Sequence, residues 1–282
     1  MAMLDWVLLA TQGMTVALKW MEVVVIAFLC GMSLAFRRHN PQVARLCMSV
    51  AQILAFSYTG AILSYAAMAA SPFPLADAPL SRMDAAVGFH WLAWVTWVSA
   101  HPIFHFVLAL SYASIPLQLT ALLVYFGYVD ARRVDELVLA GIMSTAIIIP
   151  VMVLLPAVGE SSHHIADMVE PWRRDILALR SHTLMTVGDP DGIIFFPSFH
   201  TILGVLFINM TRGHRWFLPT LVLNLLLIAS VMSEGSHYLV DMLSGLAVAW
   251  IAIAASQSTL AYCARVSIRM ALPSRITNQS QR

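Results

Sequence analysis

Charge is what this sequence has least of. Asp, Glu, Lys and Arg make up 11% of its 282 residues, against about 25% in an ordinary soluble domain. With 60% of the residues hydrophobic, no water-soluble core could take up so much apolar surface. The balance excludes a soluble globular protein and points to an all-α, polytopic membrane helix bundle of about six or seven transmembrane helices with a short interfacial helix. Cysteine is almost as scarce: Cys30, Cys47 and Cys263 fall in or beside apolar segments, without metal or disulfide spacing, and read as small apolar filler. The start, Met1-Ala2-Met3-Leu4-Asp5-Trp6, lacks the basic region and small-residue cleavage site of a signal peptide, so the first apolar segment is expected to be retained. No internal repeat is evident. The net charge of +1 says little, because the placement of charge matters more than its sum; no nucleic-acid partner is expected.

Residues 3–16 read as an interfacial helix leading into a span over 18–36, with Lys19 and Glu22 snorkelling near its outer end. Arg37-Arg38-His39-Asn40-Pro41 stops that helix, and 46–70 form the second span. Ser71-Pro72-Phe73-Pro74 opens a loop running to about residue 84. Phe89, His90, Trp91, Trp94 and Trp97 mark residues 85–100 as a helix in the headgroup region, where Trp is enriched. His101-Pro102 leads into a third span over 103–126. His101 and His105 share a helix face at i, i+4 with no third ligand nearby, so they read as a polar helix entrance rather than a metal site; neither metal nor cofactor is expected.

After the charged turn Tyr128–Arg133 comes a fourth span over 137–155, containing Pro150, which kinks such a helix and frees a carbonyl. Residues 156–192 are the one long polar stretch. The fifth and sixth spans cover 193–211 and 217–232. The seventh starts near His237 and ends between Gln257 and Cys263. The organisation is N-terminal membrane helices over 1–136, a catalytic membrane core over 137–264 and a flexible basic tail over 265–282.

Arginine placement sets the orientation. The 37–45, 127–136 and 212–216 loops with the tail hold eleven arginines, and the opposite side holds four: Arg82, Arg173, Arg174 and Arg180. The richer side belongs in the cytoplasm. The expected setting is a bacterial inner membrane, with the C-terminus cytoplasmic and the long polar loop, His200 and His237 facing the periplasm.

Two stretches carry the chemistry: Phe195-Phe196-Pro197-Ser198-Phe199-His200-Thr201 and Gly235-Ser236-His237-Tyr238-Leu239-Val240-Asp241. Each starts an apolar segment with a histidine, and an ionisable group at such a place is a functional hypothesis by default. His237 and Asp241, four apart, lie on one helix face. A carboxylate there fixes one imidazole tautomer and leaves the other nitrogen free to attack an electrophile such as phosphorus. His200 follows Pro197-Ser198 at another helix start, where unpaired N–H groups bind anions. Ser198 caps that helix or donates to a phosphate oxygen, and a protonated His200 can donate to a leaving oxygen. Arg173, Arg174 and Arg180 lie on the correct side to neutralise phosphate.

Phe196-Pro197-Ser198-Phe199-His200 and His237-Tyr238-Leu239-Val240-Asp241 resemble the second and third signature motifs of the type 2 phosphatidic acid phosphatase superfamily. Phe199, where the phosphatases usually have Gly, is closer to the branch of inositol phosphorylceramide synthases and, more distantly, sphingomyelin synthases. The likeness is specific over about 172–245. It implies His237 as the nucleophile that forms a phosphohistidine, Asp241 as its orienting partner and His200 as the acid for the leaving group, without a metal. The phosphatases carry an arginine six residues before the third-motif histidine; Val231 stands there, and the synthase-like branch also lacks that arginine. The usual first motif is absent, and Trp172-Arg173-Arg174-Asp175 with Arg180 occupies its region. Arg180 is the first choice of phosphate clamp, with Ser198 and Arg174 as further phosphate-binding candidates.

At about 1.5 Å per residue, His200 lies roughly 18–22 Å from Arg212 and Arg215, short of a hydrocarbon core of about 30 Å. The site is thus expected as a polar pocket sunk into the outer half of the bilayer, which a lipid enters sideways. The resulting expectation is an integral membrane lipid phosphotransferase, its partners a lipid substrate and the bilayer; the sequence assigns no oligomeric state. The alternatives are a lipid phosphate phosphatase of the same superfamily and a non-enzymatic lipid transporter.

Overall fold

The computed structural model describes residues 15–16, 19–161, 171–183, 186–187 and 193–271. Its helices are α1 (Trp20–Phe36), α2 (Pro41–Ala70), α3 (Asp77–Ala86), α4 (Trp91–Ser99), α5 (Pro102–Ala113), α6 (Ile115–Val129), α7 (Ala131–Leu154), α8 (Pro171–Arg180), α9 (Phe199–Thr211), α10 (Phe217–Glu234) and α11 (Leu239–Ala271). Two short strands, β1 (Thr15–Val16) and β2 (Thr186–Val187), pair in parallel, with Thr15 opposite Thr186. The chain is an all-helical membrane bundle, as its composition requires.

Among the described residues, four helices are long and apolar enough to cross a membrane: α2, α7, α10 and α11. The α4–α5 pair, bent by 110°, passes the same test as one broken span. α1, α6 and α9 are apolar but shorter. The expected six or seven spans are reached only if these count, because α9, with 13 residues, reaches about 20 Å.

Three local expectations change. The stretch to residue 84, expected as a loop, forms α3 from Asp77 onward. The third span is broken at Ser114 into α5 and α6, with a proline in the first turn of α6. Residues 15–16 are strand rather than helix, because β2 offers their backbone a partner. The rest of the expected interfacial helix, residues 3–14, lies outside the described residues, as do residues 162–170 and 188–192 of the polar stretch and tail residues 272–282.

Local chemistry sets the helix ends. Asn40 Oδ1 accepts from Val43 N–H at 3.2 Å and Pro41 opens α2, so the helix starts directly after the charged turn. Ser71 Oγ donates to the Val153 carbonyl at 2.7 Å, covering an acceptor in the last turn of α7. Pro150 sits inside α7. The packing is inverted relative to a soluble protein. Trp20, Phe28, Ile103, Phe106, Leu117, Leu218 and Trp250 are exposed, a surface that calls for lipid. Buried small residues along α2, among them Ala44, Ala51, Gly60, Ala66 and Ala67, let neighbouring backbones approach.

α2 packs on α1, α7 and α8. α7 packs on α9 and α11, and α10 on α5 and α9. The buried apolar residues form two clusters. One, at the end where α3 and α8 lie, holds Tyr65, Met68, Leu80, Ile176, Leu179, Phe195 and Tyr238. The other runs through the middle of the bundle and holds Phe126, Ile148, Ile202, Phe207, Leu227, Val231 and Ala252.

Candidate active site

The two motif stretches meet at the starts of α9 and α11. Ser198 N–H donates to the Asp241 carbonyl at 3.1 Å, so the backbones are joined directly. One turn further along α11, a Cβ on Gly245 would lie 2.7 Å from the Ser198 carbonyl. Only a residue without a side chain permits this approach. Ser198 is fully buried, and its Oγ accepts from Thr201 N–H at 3.4 Å as the cap of α9. Of the two roles considered for Ser198, capping is the one the structure shows.

His237 Nδ1 lies 3.1 Å from Asp241 Oδ2, with His237 3% and Asp241 0% exposed. The same Oδ2 accepts from Tyr238 N–H at 2.9 Å. An ionised Asp241 accepts from Nδ1–H, which leaves the lone pair on Nε2. The His200 ring centroid is 6.2 Å from that of His237, with the planes at 63°. Tyr112 of α5 stacks on His200 at 4.7 Å and 17°, and Phe195 lies 5.5 Å from His237.

A layer of carboxylates absent from the sequence reading holds this arrangement. Asp84 of α3 accepts from Leu239 N–H at 2.7 Å and from Val240 N–H at 2.9 Å. Together with Asp241 on Tyr238 N–H, the opening N–H groups of α11 are met by two carboxylates, which also suit the positive end of the helix dipole. Burial raises the Asp84 carboxyl above its ordinary 3.8, while the two N–H bonds pull it down. Asp77 accepts from Val158 N–H, Gly159 N–H and Tyr238 Oη at 2.9–3.0 Å. Ser81 Oγ donates to Glu160 Oε1 at 3.0 Å, and Glu160 N–H donates to the Ser236 carbonyl at 2.8 Å. Ser236, just before His237, has φ 55°, a left-handed conformation uncommon outside glycine. The 159–160 backbone fixes it: a Cβ on Gly159, itself at φ 102°, would meet the Ser236 carbonyl at 2.9 Å and the Phe195 ring at 2.8 Å.

Spacing could have revealed this layer. Asp77, Leu80, Ser81 and Asp84 share one face of a helix, and Asp77, Leu80 and Asp84 are buried.

The arginines stand differently. Arg180 Nη2 donates to the Phe73 carbonyl, and its buried Nη1 has no hydrogen-bond partner. The Arg174 side chain is 73% exposed and lies 3.8 Å from Asp175. Among the described residues no hydrogen bond or ion pair joins either arginine to His200, His237 or Asp241. His182 closes α8: His182 N–H bonds to the Leu179 carbonyl and Thr183 N–H to the Ala178 carbonyl, with His182 at φ 54°, a Schellman end. His101 and His105 take separate partners, the Trp97 carbonyl at 2.7 Å and Glu234 Oε1 at 3.4 Å. No group of three or more His, Cys, Asp or Glu residues able to hold a metal occurs among the described residues.

A paired imidazole, a second imidazole beside it and a helix N-terminus form a set suited to phosphoryl chemistry, and the family comparison agrees. A model of the PAP2 superfamily matches residues 78–255, more than half of the chain, and the chain therefore belongs to that superfamily. Its members are phosphatases or phosphotransferases, which supports an enzyme of that general kind. Searches of curated proteins and of solved structures return no match. The matched range starts within α3 and runs into α11, so it takes in Asp84 as well as both histidines.

Proposed function

We propose that the chain is a membrane lipid phosphotransferase working through a phosphohistidine at His237. The observation that carries this is the buried His237–Asp241 pair, 3.1 Å apart, with the His200 ring 6.2 Å from that of His237. Nitrogens of two rings this close can converge on one tetrahedral phosphate seated beside the pair, with an attack distance of about 3–3.5 Å from one and a hydrogen bond of about 2.8 Å from the other. Nε2 of His237 attacks phosphorus, the P–O bond to the leaving group breaks, and His200 gives its proton to the departing oxygen. In the second half-reaction His200 takes the proton of an incoming hydroxyl, whose oxygen displaces His237. Asp241 stabilises the imidazolium form of His237, as the carboxylate of a catalytic triad does. The N-terminus of α9 receives the phosphate charge, and Arg180, with one guanidinium nitrogen free, supplies the cation.

The acceptor is a lipid or polyol alcohol, and the donor a phospholipid headgroup. Phe199 and Val231 favour the inositol phosphorylceramide synthase-like branch over the phosphatases. The arginine asymmetry supports a site on the non-cytoplasmic side, in a bacterial inner membrane the periplasm. The test is to give purified protein radiolabelled phosphatidate or, separately, labelled phospholipid with ceramide, and to quench with alkali. An alkali-stable, acid-labile phosphoprotein is expected, and it should vanish in His237→Ala, with turnover reduced about 10⁴-fold or more. Labelled lipid product with the alcohol, rather than free phosphate, separates transferase from phosphatase. Turnover without any phosphoprotein would remove the mechanism.

A further inference from the structure

Within the reading of His237 as nucleophile, we infer that Tyr112 is a further catalytic residue, its hydroxyl donating a hydrogen bond to a phosphoryl oxygen held between His200 and His237. Charge builds on the phosphoryl oxygens as Nε2 attacks, and donors aimed at it are among the largest sources of rate. No cation is hydrogen-bonded to the histidine pair among the described residues, so a neutral donor beside the pair would add to what Arg180 and the α9 N-terminus supply.

Three observations single out Tyr112. Its ring lies nearly parallel on His200, 4.7 Å between centroids, so the phenol and the imidazole share one wall of the gap. Its hydroxyl reaches the His237 side: the Cβ position of Gly235 is 3.3 Å from Tyr112 Oη and 2.8 Å from His237 Cδ2, which puts the hydroxyl and the imidazole edge within about 6 Å. The hydroxyl makes no hydrogen bond among the described residues, whereas the other phenol of the site, Tyr238, is committed to Asp77 at 2.9 Å. A half-buried phenol beside two imidazoles with its donor unspent is suited to a ligand oxygen. The acidic group facing Tyr112 is Glu234, and His105 Nε2 lies 3.4 Å from that carboxylate. That imidazole offers the carboxylate a partner other than the Tyr112 hydroxyl.

The experiment is orthovanadate binding to detergent-purified full-length protein by calorimetry, paired with single-turnover phosphoprotein formation from radiolabelled phosphatidate. Tyr112→Phe keeps the stacked ring and removes only the hydroxyl. It should weaken vanadate binding about 10- to 100-fold and slow phosphoprotein formation by at least as much. Tyr112→Leu, which also removes the stacking on His200, should lose more in both. Vanadate binding and phosphoryl transfer unchanged in Tyr112→Phe would overturn the role of the hydroxyl, and a defect confined to Tyr112→Leu would reduce Tyr112 to a packing partner of His200. Failure of the underlying reading looks different: the wild type binds no vanadate, or His237→Ala forms phosphoprotein as well as the wild type.

Discussion

α9 and α11 are tied together at both ends, and the two ties are built on opposite plans. Near His237 the helices meet through backbone, Ser198 N–H on the Asp241 carbonyl, over the bare Cα of Gly245. Near the arginine-rich end they meet through one carboxylate of α7: Glu136 Oε1 accepts from Asn209 Nδ2 of α9 at 3.0 Å and from Gln257 Nε2 of α11. Arg133 closes the same end by donating to the carbonyls of Met210 and Arg212 at 2.7 and 2.8 Å, and to Asp130 at 3.1 Å. There the polar groups face one another. At the histidine end, Asp241 Oδ1 and Thr201 Oγ1 are buried without hydrogen-bond partners, and Ser236 holds an uncommon backbone conformation. Buried polar atoms left open are expensive in a purely structural joint, so the open end is the one suited to a ligand and the satisfied end the one suited to holding the bundle.

That contrast breaks first, and hardest, at Asp241. Asp241→Asn keeps the shape and can still accept from Tyr238 N–H. It offers His237 an amide in place of a charge and lets the wrong tautomer compete. Turnover should fall about 10²- to 10⁴-fold, while the melting temperature in detergent stays within a few degrees of the wild type. Wild-type turnover in this variant would mean that the His237–Asp241 contact is a structural joint like the one at Glu136.

The helices and the two motif stretches were legible because apolar length and the i, i+4 spacing of His237 and Asp241 are local properties. What escaped depends on partners far along the chain. Asp77 and Asp84 sit behind Ser71-Pro72-Phe73-Pro74, a loop signature, and α3 is only ten residues long; it is held by burial of Leu80 and by bonds to residues 158–159 and 238–240 rather than by propensity. Tyr112 is invisible for the same reason, since stacking on His200 joins α5 to α9. Arginines on the correct side could be counted, but direction could not: Arg180 turns to Phe73 and Arg174 to Asp175. The break at Ser114 was readable from Pro116, which has no N–H for the helix ladder and whose ring clashes with the carbonyl four residues back.

Asp84 joins stability to chemistry, so its removal should register in both. Asp84→Asn loses one of the two acceptors for Leu239 and Val240 N–H and loosens the turn that aims His237. A destabilisation of about 1–3 kcal/mol and a turnover loss smaller than that of Asp241→Asn are expected, read by thermal denaturation and by initial rates. The pH dependence has a defined sign. A carboxyl raised in the folded chain binds its proton more tightly there than when unfolded, so wild-type stability gains from this group as pH falls through the raised range. The wild type's advantage over Asp84→Asn should therefore grow on acidification from pH 7 and level off below 3.8. An advantage independent of pH would show that Asp84 does not titrate in that range.

The smallest effect belongs to the satisfied end. Glu136→Gln keeps an oxygen that can accept from both Asn209 and Gln257, and loses only the strengthening that charge gives those bonds. A stability loss of about 0.5–1.5 kcal/mol is expected, with turnover within twofold of the wild type, because Asn209 lies nine residues along α9 from His200, about 13 Å. A large fall in turnover at unchanged stability would erase the division between the two ends. The Glu136 joint would then be coupled to the histidine pair through α9 and α11, and the polar bridge at the arginine-rich end would have to be counted among the groups that set the spacing of the two imidazoles.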